Sequence, residues 1–233
     1  MSDRKKPAWF ITGTDTGVGK TLVAAGLMRA LHKEGLTVAG MKPVASGAFV
    51  TNAGLRNADA KMLRDVADIK CNYETVNPYV FEPPIAPHIA AELAGVFVDP
   101  ERIRQEFQTL VGQSDCVVVE GVGGWLVPLA PHFTLADLVV ELDLPVIMVV
   151  GMRLGCINHA LLTAEAIIQR GLVLSGWVAN QIDPHFSCLS ENLSALERRI
   201  PAPCIGVLPY IRGDSRNPEQ IAGKINIRPL RWE

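Results

Sequence analysis

Cysteine pairs with the spacing of a metal-binding knuckle are missing from this sequence. The five cysteines are odd in number, widely separated and never arranged as C-x2-C. Such spacing is typical of reduced thiols and argues against a disulfide framework. The sequence therefore predicts neither structural disulfides nor a zinc site.

Long apolar runs and an excess of one charge are also missing. The most apolar stretch, residues 144–151, has the length of a strand rather than of a membrane span. The charged residues 1–6 precede an apolar run that stops at Gly13, too early for the apolar region of a signal peptide. The net charge is -2 and the basic residues are scattered, so nothing indicates binding to nucleic acid or to a membrane. We expect a cytoplasmic protein.

The length and composition fit one α/β domain. With 233 residues and 48% hydrophobic content, the chain can bury a large core, and we expect a single domain over residues 1–233. Strand-like and helix-like segments alternate along the chain, and the predicted strands are residues 8–12, 37–41, 116–119, 146–150, 172–179 and 205–208. This alternation predicts a mostly parallel central sheet with helices on both faces.

A glycine-rich stretch, residues 13–21, separates the first predicted strand from the first predicted helix. Its sequence, GTDTGVGKT, is typical of a phosphate-binding loop, in which backbone N–H groups converge on phosphate oxygens. Lys20 can then reach the β- and γ-phosphates, and the Thr21 hydroxyl can bind magnesium. The usual spacing is G-x4-G-K-[ST], whereas the nearest upstream glycine here is Gly13, one residue too far. An ordinary glycine turn is the alternative, but the flanking strand and helix favour nucleotide binding.

Two polar positions follow the second predicted strand. Lys42 comes directly after residues 37–41, at the edge of the sheet where ligands gather in open α/β folds. A lysine in such a place is most often a solvated loop charge, but the nearby phosphate loop favours a functional role. Asp59 is expected in the first turn of a helix that follows Asn57 or Ala58, where a carboxylate already complements the helix dipole.

The third predicted strand ends in an acidic residue. Glu120 follows the valine run of residues 116–119 and precedes Gly121. This pattern resembles a Walker B element, whose carboxylate faces the magnesium ion held by the loop threonine. An acidic turn residue is the alternative, and the phosphate loop upstream favours the metal-binding role.

The later strands add candidate ligand contacts at the same edge of the sheet. Gly155 and Cys156 open the helix after residues 146–150, so its N-terminus is free to bind an anion, although an ordinary turn explains the pattern equally well. The last two predicted strands end at Asn180-Gln181 and at Pro209-Tyr210.

A proline-rich stretch, residues 76–88, shows no clean periodicity. We interpret it as an ordered loop or lid, because it keeps Tyr79, Phe81 and Ile85 to bury. His88 at its end is interpreted as a helix-start residue rather than as a catalyst.

Taken in chain order, the motifs resemble the dethiobiotin synthetase family from about residue 8 to residue 211. They are GTDTGVGKT, KPVASG, GLRNADA, VNPY with PHIAAE, VVVEGVGGW, VVGMRLGCINHA, GWVAN and IPAPCIGVLP. The phosphate loop alone would admit many ATPases, whereas LGCINHA together with KPVASG is specific. The resemblance implies a P-loop NTPase-like fold and a homodimeric enzyme that uses ATP and Mg2+ to convert 7,8-diaminononanoate and CO2 into dethiobiotin.

The resemblance also implies roles for the residues at matching positions. Lys20 and Lys42 would be catalytic, while Thr21, Asp59 and Glu120 would surround Mg2+. The nucleotide would contact Gly17, Val18, Gly19, Lys20, Thr21, Leu22, Asp59, Glu120, Gly121, Val122, Gly123, Asn180, Gln181, Pro209, Tyr210 and Ile211. The substrate would contact Thr16, Ser46 and, through its carboxylate and across the dimer, Gly155, Cys156, Ile157 and Asn158. Some family members carry glutamate where this chain has Gly17, so a catalytic carboxylate in the loop is not available here.

Two other protein classes are alternatives to the dethiobiotin synthetase family, and the first of them shares this fold type. The nucleotide-switched ATPases that position partitioning or division proteins carry a second lysine five residues before the invariant one, where this chain has Asp15. They also tend to use an amphipathic tail, whereas residues 225–233 are short and interrupted by Pro229. An ATP-dependent amidating ligase normally carries a glutaminase domain, for which we expect no room in this chain.

Overall fold

The structure is a computed structural model that describes residues 6–211 and 217–230. Its strands are β1 (Ala8–Gly13), β2 (Val38–Met41), β3 (Val44–Ala45), β4 (Phe49–Thr51), β5 (Gly54–Arg56), β6 (Tyr79–Val80), β7 (Cys116–Glu120), β8 (Pro128–Ala130), β9 (Phe133–Thr134), β10 (Val146–Met152), β11 (Leu174–Gln181) and β12 (Cys204–Leu208). Its helices are α1 (Lys20–Lys33), α2 (Ala58–Val66), α3 (Tyr73–Val76), α4 (Pro87–Leu93), α5 (Pro100–Gln113), α6 (Leu135–Leu142), α7 (Cys156–Gln169), α8 (Leu189–Glu197) and α9 (Pro218–Ala222).

Six strands form a central sheet in the order β12-β11-β10-β1-β7-β2, and each neighbouring pair is parallel. The register aligns Phe10 of β1 with Val146 on one side and with Val119 on the other. Because all six strands run in the same direction, their carboxyl ends lie at one edge of the sheet. The predicted mostly parallel sheet is confirmed.

Helices cover both faces of this sheet, and successive residues of β1 show how. Phe10 packs into a core shared with α5, α6 and α7, while Ile11 packs into a second core shared with α1, α2 and α9. Because both faces are buried, β10 is buried at every position instead of alternating with solvent-facing residues.

The C-terminal helix closes one of these two faces. It packs on α1 at Gly26, where an added Cβ would lie 2.3 Å from Cγ2 of Ile221. Glycine at this position lets the two helices approach closely. Beside these helices, the chain buries Ile225, Ile227 and Leu230. Residues 225–230, which lie in the predicted tail of residues 225–233, therefore belong to the core.

Local sequence signals explain where several elements begin or end. Gly35 follows the C-cap of α1 with a φ of 88°, a conformation that favours glycine. The Asn57 side chain caps α2 by accepting hydrogen bonds from the N–H groups of Asp59 and Ala60. The strand predicted over residues 172–179 is shifted, however, because β11 begins at Leu174.

The proline-rich residues 76–88 include β6 and the start of α4. His88 lies in the first turn of α4, as predicted. Tyr79 and Phe81 are buried, but Ile85 is 37% exposed, so the prediction that all three are buried is wrong for Ile85. Ile85 lies in a bend before α4, where the chain runs over the surface.

Three small ribbons were not predicted. They pair β3 with β6, β4 with β5 and β8 with β9. Elements of two or three residues are too short to show a periodicity. Among residues 6–211 and 217–230, no helix combines the length and the apolar character needed to cross a membrane. Residues 1–5 and 231–233, which entered the predictions about a leader and a tail, lie outside the described residues.

Candidate active site

The loop between β1 and α1 leads into the helix through two glycines in the left-handed region. Gly17 has a φ of 75°, and Gly19, the N-cap of α1, has a φ of 93°. An added Cβ on Gly19 would lie 2.3 Å from Nδ2 of Asn180, so this position also lacks room for a side chain. Among residues 6–211 and 217–230, no side chain caps α1, which leaves its first N–H groups available to an anion.

Lys20 is buried and is held by backbone carbonyl groups. Its Nζ donates to the backbone oxygen of Asp15 at 3.0 Å and to that of Gly123. Burial, followed by repulsion from Lys42, lowers the pKa of Lys20 from 10.5 to about 8. This ammonium lies in the loop where the phosphates of a nucleotide would bind.

Four of the predicted site residues meet at the carboxyl edge of the sheet. The Thr21 hydroxyl donates to Oε1 of Glu120 at 2.7 Å. Lys42 Nζ donates to the same oxygen at 2.7 Å, to Oδ2 of Asp59 at 3.0 Å and to the backbone oxygen of Gly121 at 3.0 Å. The fold thus gathers Thr21 from α1, Asp59 from α2, Glu120 from β7 and Lys42 from the position directly after β2.

Lys42 is not a solvated loop charge, since it is only 2% exposed. Burial by itself would lower the pKa of Lys42, but Glu120 and Asp59 together hold it above its ordinary value. Burial also opposes ionisation of Asp59, and Lys42 and Thr21 reverse that effect, so the pKa of Asp59 is lowered. Burial raises the pKa of Glu120 against the opposing influence of Lys42. The ammonium form of Lys42 is therefore stabilised by its neighbours.

One buried carboxylate oxygen of this cluster provides a test for a metal ion. Glu120 Oε2 is buried and accepts no hydrogen bond from the described residues, which is costly for a carboxylate. Within residues 6–211 and 217–230, no three His, Cys, Asp or Glu side chains form a group suited to a metal ion. Mg2+ commonly binds one or two carboxylates together with substrate phosphates and water. Thr21, Asp59 and Glu120 therefore fit Mg2+ bound together with a nucleotide.

A cavity of about 190 Å3 opens beside the loop. Its lining consists of Gly17, Gly19, Leu22, Asn180, Gln181, Ile182, Tyr210 and Ile211. All of these except Ile182 were predicted to contact the nucleotide. Asn180 is buried, and its Nδ2 donates to the backbone oxygen of Val18 at 2.7 Å. The cavity is suited to the base of a nucleotide whose phosphates lie in the loop. Ile182 was missed, although its position directly after β11 was a usable signal.

The predicted substrate residues are divided among three places. Ser46 directly follows β3, four residues after Lys42, and its backbone oxygen accepts a hydrogen bond from Asn57. Thr16 is exposed on the phosphate loop. Gly155 caps α7 with a φ of 92° and no side-chain cap, and Asn158 in its first turn is exposed. Among the described residues, no hydrogen bond or ion pair connects the start of α7 with Thr21, Lys42, Asp59 or Glu120.

Comparison with known proteins decides the family. Residues 8–217 match a family described as an AAA domain. The ATP-dependent dethiobiotin synthetase of Aromatoleum aromaticum is 51% identical over 220 residues, which cover 94% of this chain and 97% of that protein. The corresponding enzyme of Pseudomonas aeruginosa is 51% identical over 225 residues, covering 96% and 98%. This chain belongs to the dethiobiotin synthetase family.

Solved structures support the fold of this dethiobiotin synthetase family member. A ParA family ATPase from Chlorobium tepidum superposes with a TM-score of 0.57 at 14% identity, covering 100% of both chains. The MinD cell division protein of Aquifex aeolicus gives a TM-score of 0.55 at 17% identity, covering 92% of this chain and 87% of that one. At such identities the likeness shows the fold alone, and it confirms the predicted P-loop NTPase-like fold class.

Two polar contacts near the site were not predicted for this dethiobiotin synthetase family member. Arg153, in the turn before α7, forms an ion pair with Asp15 of the phosphate loop. Asn77 donates a hydrogen bond to the backbone of Lys42 at 2.6 Å. The partners are far apart in sequence, so no local pattern could pair them. The only signal for Asn77 was its place in the VNPY motif, to which no role was given.

Proposed function

We propose that this protein is a dethiobiotin synthetase that uses ATP and Mg2+ to carboxylate 7,8-diaminononanoate and close the ring, giving dethiobiotin, ADP and phosphate. The observation that carries this proposal is the buried cluster of Lys42, Asp59, Glu120 and Thr21 beside the phosphate loop, in a chain of this family. We also propose that it works in the cytoplasm as a homodimer, with neither nucleic acid nor membrane as a partner.

The proposed reaction has three steps. One substrate amine attacks CO2 and loses a proton, forming a carbamate. A carbamate oxygen then attacks the γ-phosphorus of ATP, and the bond to the bridging oxygen breaks so that ADP leaves. The second amine attacks the carbonyl carbon of the resulting carbamic-phosphoric anhydride, and the bond to the phosphate oxygen breaks, which closes the cyclic urea and releases phosphate and a proton.

Negative charge accumulates in each of these steps, and the chain supplies cations and N–H groups to meet it. Lys20 lies in the phosphate loop, and Lys42 is held in place by two carboxylates and a backbone carbonyl. Groups fixed in advance in a sheltered site stabilise developing charge without reorganising during the reaction. The reaction requires no nucleophilic side chain.

The remaining predicted residues would bind the cofactor and the nucleotide. Thr21, Asp59 and Glu120 would hold Mg2+, which when bound neutralises charge on the β- and γ-phosphates. The uncapped start of α1 would bind the phosphates, and the cavity lined by Asn180 and Tyr210 would bind adenine.

The substrate carboxylate would bind at the start of α7 in the partner subunit. α7 has no side-chain cap, and the first N–H groups of a helix suit a carboxylate. A long aliphatic diamine acid places its carboxylate far from the amines that react near the γ-phosphate. Leu154, next to this helix start, is 93% exposed, which suits an apolar side chain that a second subunit would cover.

A direct assay tests the proposed function. Purified protein is supplied with 7,8-diaminononanoate, bicarbonate and ATP-Mg, and dethiobiotin is detected by its mass. We expect product in equal amount to ADP, none when the protein, diaminononanoate or ATP-Mg is left out, and less when bicarbonate is left out, because buffer in contact with air still contains CO2. ATP hydrolysis that does not respond to diaminononanoate, with no dethiobiotin formed, would contradict the proposal.

A further inference from the structure

The backbone of Lys42 is held by a segment outside the central sheet. The pairing of β2 with β7 ends at Met41, so Lys42 lies one residue beyond it. Its N–H donates to the backbone oxygen of Val76 at 2.7 Å. Its backbone oxygen accepts from Nδ2 of Asn77 at 2.6 Å. The residues around Asn77 therefore fix the position from which the Lys42 side chain reaches the site.

Asn77 is buried and uses its whole side-chain amide. Besides the bond to Lys42, its Nδ2 donates to the backbone oxygen of Tyr79 at 3.0 Å. Its Oδ1 accepts from the hydroxyl of Tyr73 at 2.9 Å. Two carbonyl acceptors on one side require the NH2 group there, which determines the orientation of the amide.

The hydrogen bonds continue through Tyr73 to the start of α2. The Tyr73 hydroxyl accepts from the backbone N–H of Asn57 at 2.8 Å, so its own proton is free to be donated to Asn77. The Asn57 side chain in turn accepts from the N–H of Asp59 at 3.0 Å. A continuous series of hydrogen bonds, buried as far as Asn57, thus runs from the backbone of Lys42 to the helical turn that carries Asp59.

We propose that Asn77 and Tyr73 are positioning residues that fix Lys42 and Asp59 relative to each other. The inference rests on the proposed function, in which Lys42 stabilises the charge of the reacting groups. Lysine has a long flexible side chain, and its Nζ meets Asp59, Glu120 and the Gly121 carbonyl together only if its backbone is fixed. Asn77 and Tyr73 supply that restraint from outside the sheet, and neither needs to touch the substrate.

Kinetic measurements on two variants test the positioning role. Because small displacements of reacting groups can cost on the order of 100-fold in rate, we expect Asn77→Ala to lower kcat about 10- to 100-fold. Tyr73→Phe removes one oxygen only, and we expect it to lower kcat by about 3- to 10-fold. The Kd for ADP should stay unchanged in both variants, since neither residue is among those that line the nucleotide cavity.

A matched control separates positioning from general loss of stability. Ser114 is buried and donates to the backbone oxygen of Leu110 at 2.8 Å, but it precedes β7 at the end opposite to Glu120. Ser114→Ala should lower the Tm and leave kcat unchanged. Asn77→Ala is also combined with Lys42→Gln. In that double variant kcat should fall no more than about twofold below that of Lys42→Gln alone, since the effects of residues that act through one group are not additive.

Several outcomes would overturn the positioning role. One is that the wild type is active and both variants keep kcat within about twofold of its value while their Tm falls, as in the Ser114 control. Another is a full additional loss of kcat when Asn77→Ala is combined with Lys42→Gln. If Asn77→Ala does not fold, Tyr73→Phe decides the question. A crystal structure of either variant in which Lys42 Nζ keeps all its partners would also overturn it, independently of activity. A wild type that forms no dethiobiotin would instead refute the proposed function.

Discussion

Lys42 and Glu120 form a buried ion pair in which Nζ lies 2.7 Å from Oε1. The two side chains are 3% and 1% exposed, so neither charge is screened by solvent. They lie at the carboxyl ends of the neighbouring strands β2 and β7. Removing one partner of such a pair leaves the other as an uncompensated buried charge. The site is therefore also a point on which the stability of the fold depends.

Replacing Lys42 should affect both the rate and the stability. Lys42→Gln removes the ammonium that faces the reacting groups, so kcat should fall strongly. It also leaves Glu120 without its cation, and we expect the free energy of unfolding to fall by about 3 kcal/mol. A solvated loop lysine, the most common kind at such a position, would contribute little to stability. Urea denaturation measures the effect, and adding Glu120→Gln should restore part of the loss. A double variant no more stable than Lys42→Gln would contradict the pairing.

Replacing Glu120 should separate metal binding from nucleotide binding. Glu120→Gln keeps the shape of the side chain but removes the charge of the unpartnered Oε2, so Mg2+-dependent turnover and the affinity for Mg2+ should both fall. Binding of ATP in the presence of EDTA should change less, because the uncapped start of α1 remains. Titration calorimetry with and without metal measures both affinities. Equal losses under the two conditions would argue against direct coordination.

Adding a side chain to the phosphate loop should lower the affinity for the nucleotide. Gly19→Ala places a methyl group against Asn180 and requires a strained positive φ, so ATP affinity should fall about 10-fold or more. Gly112 in α5 is a matched control, since an added Cβ there meets nothing within 4 Å. Gly112→Ala should leave ATP affinity unchanged and stabilise the helix slightly. Similar affinities for the two variants would contradict the assignment of the loop.

Mixed dimers test whether the substrate site is shared between subunits. Asn158→Ala should raise the KM for diaminononanoate and leave ATP affinity unchanged, since Asn158 lies at the start of α7. A dimer that pairs this subunit with a Lys42→Gln subunit has one site with both defects and one site with neither. At a diaminononanoate concentration well below the KM of the Asn158→Ala variant, and under a two-fold arrangement, this dimer should show about half of the wild-type activity. Full activity of a monomer, or mixed dimers no more active than either parent, would exclude site sharing.

The fold class could be predicted because it depends on repeated local patterns. Buried strands such as β10 are continuously apolar, and helices between them carry signals such as the Asn57 cap and the glycine after α1. The motifs that resemble the dethiobiotin synthetase family supplied the phosphate loop, Lys42, Asp59 and Glu120 as candidates. The roles of these residues and the single domain over residues 1–233 stay predictions.

Other features follow from tertiary structure alone. Sequence patterns placed Lys42 at a strand end, but its burial against Glu120 depends on a residue 78 positions away. The connection from Lys42 through Asn77 and Tyr73, and the close approach of Ile221 to Gly26, likewise join segments that no local period relates. Periodicity and capping report interactions within a few residues along the chain. Which side chains share one buried space is decided only when the sheet and its helices pack together.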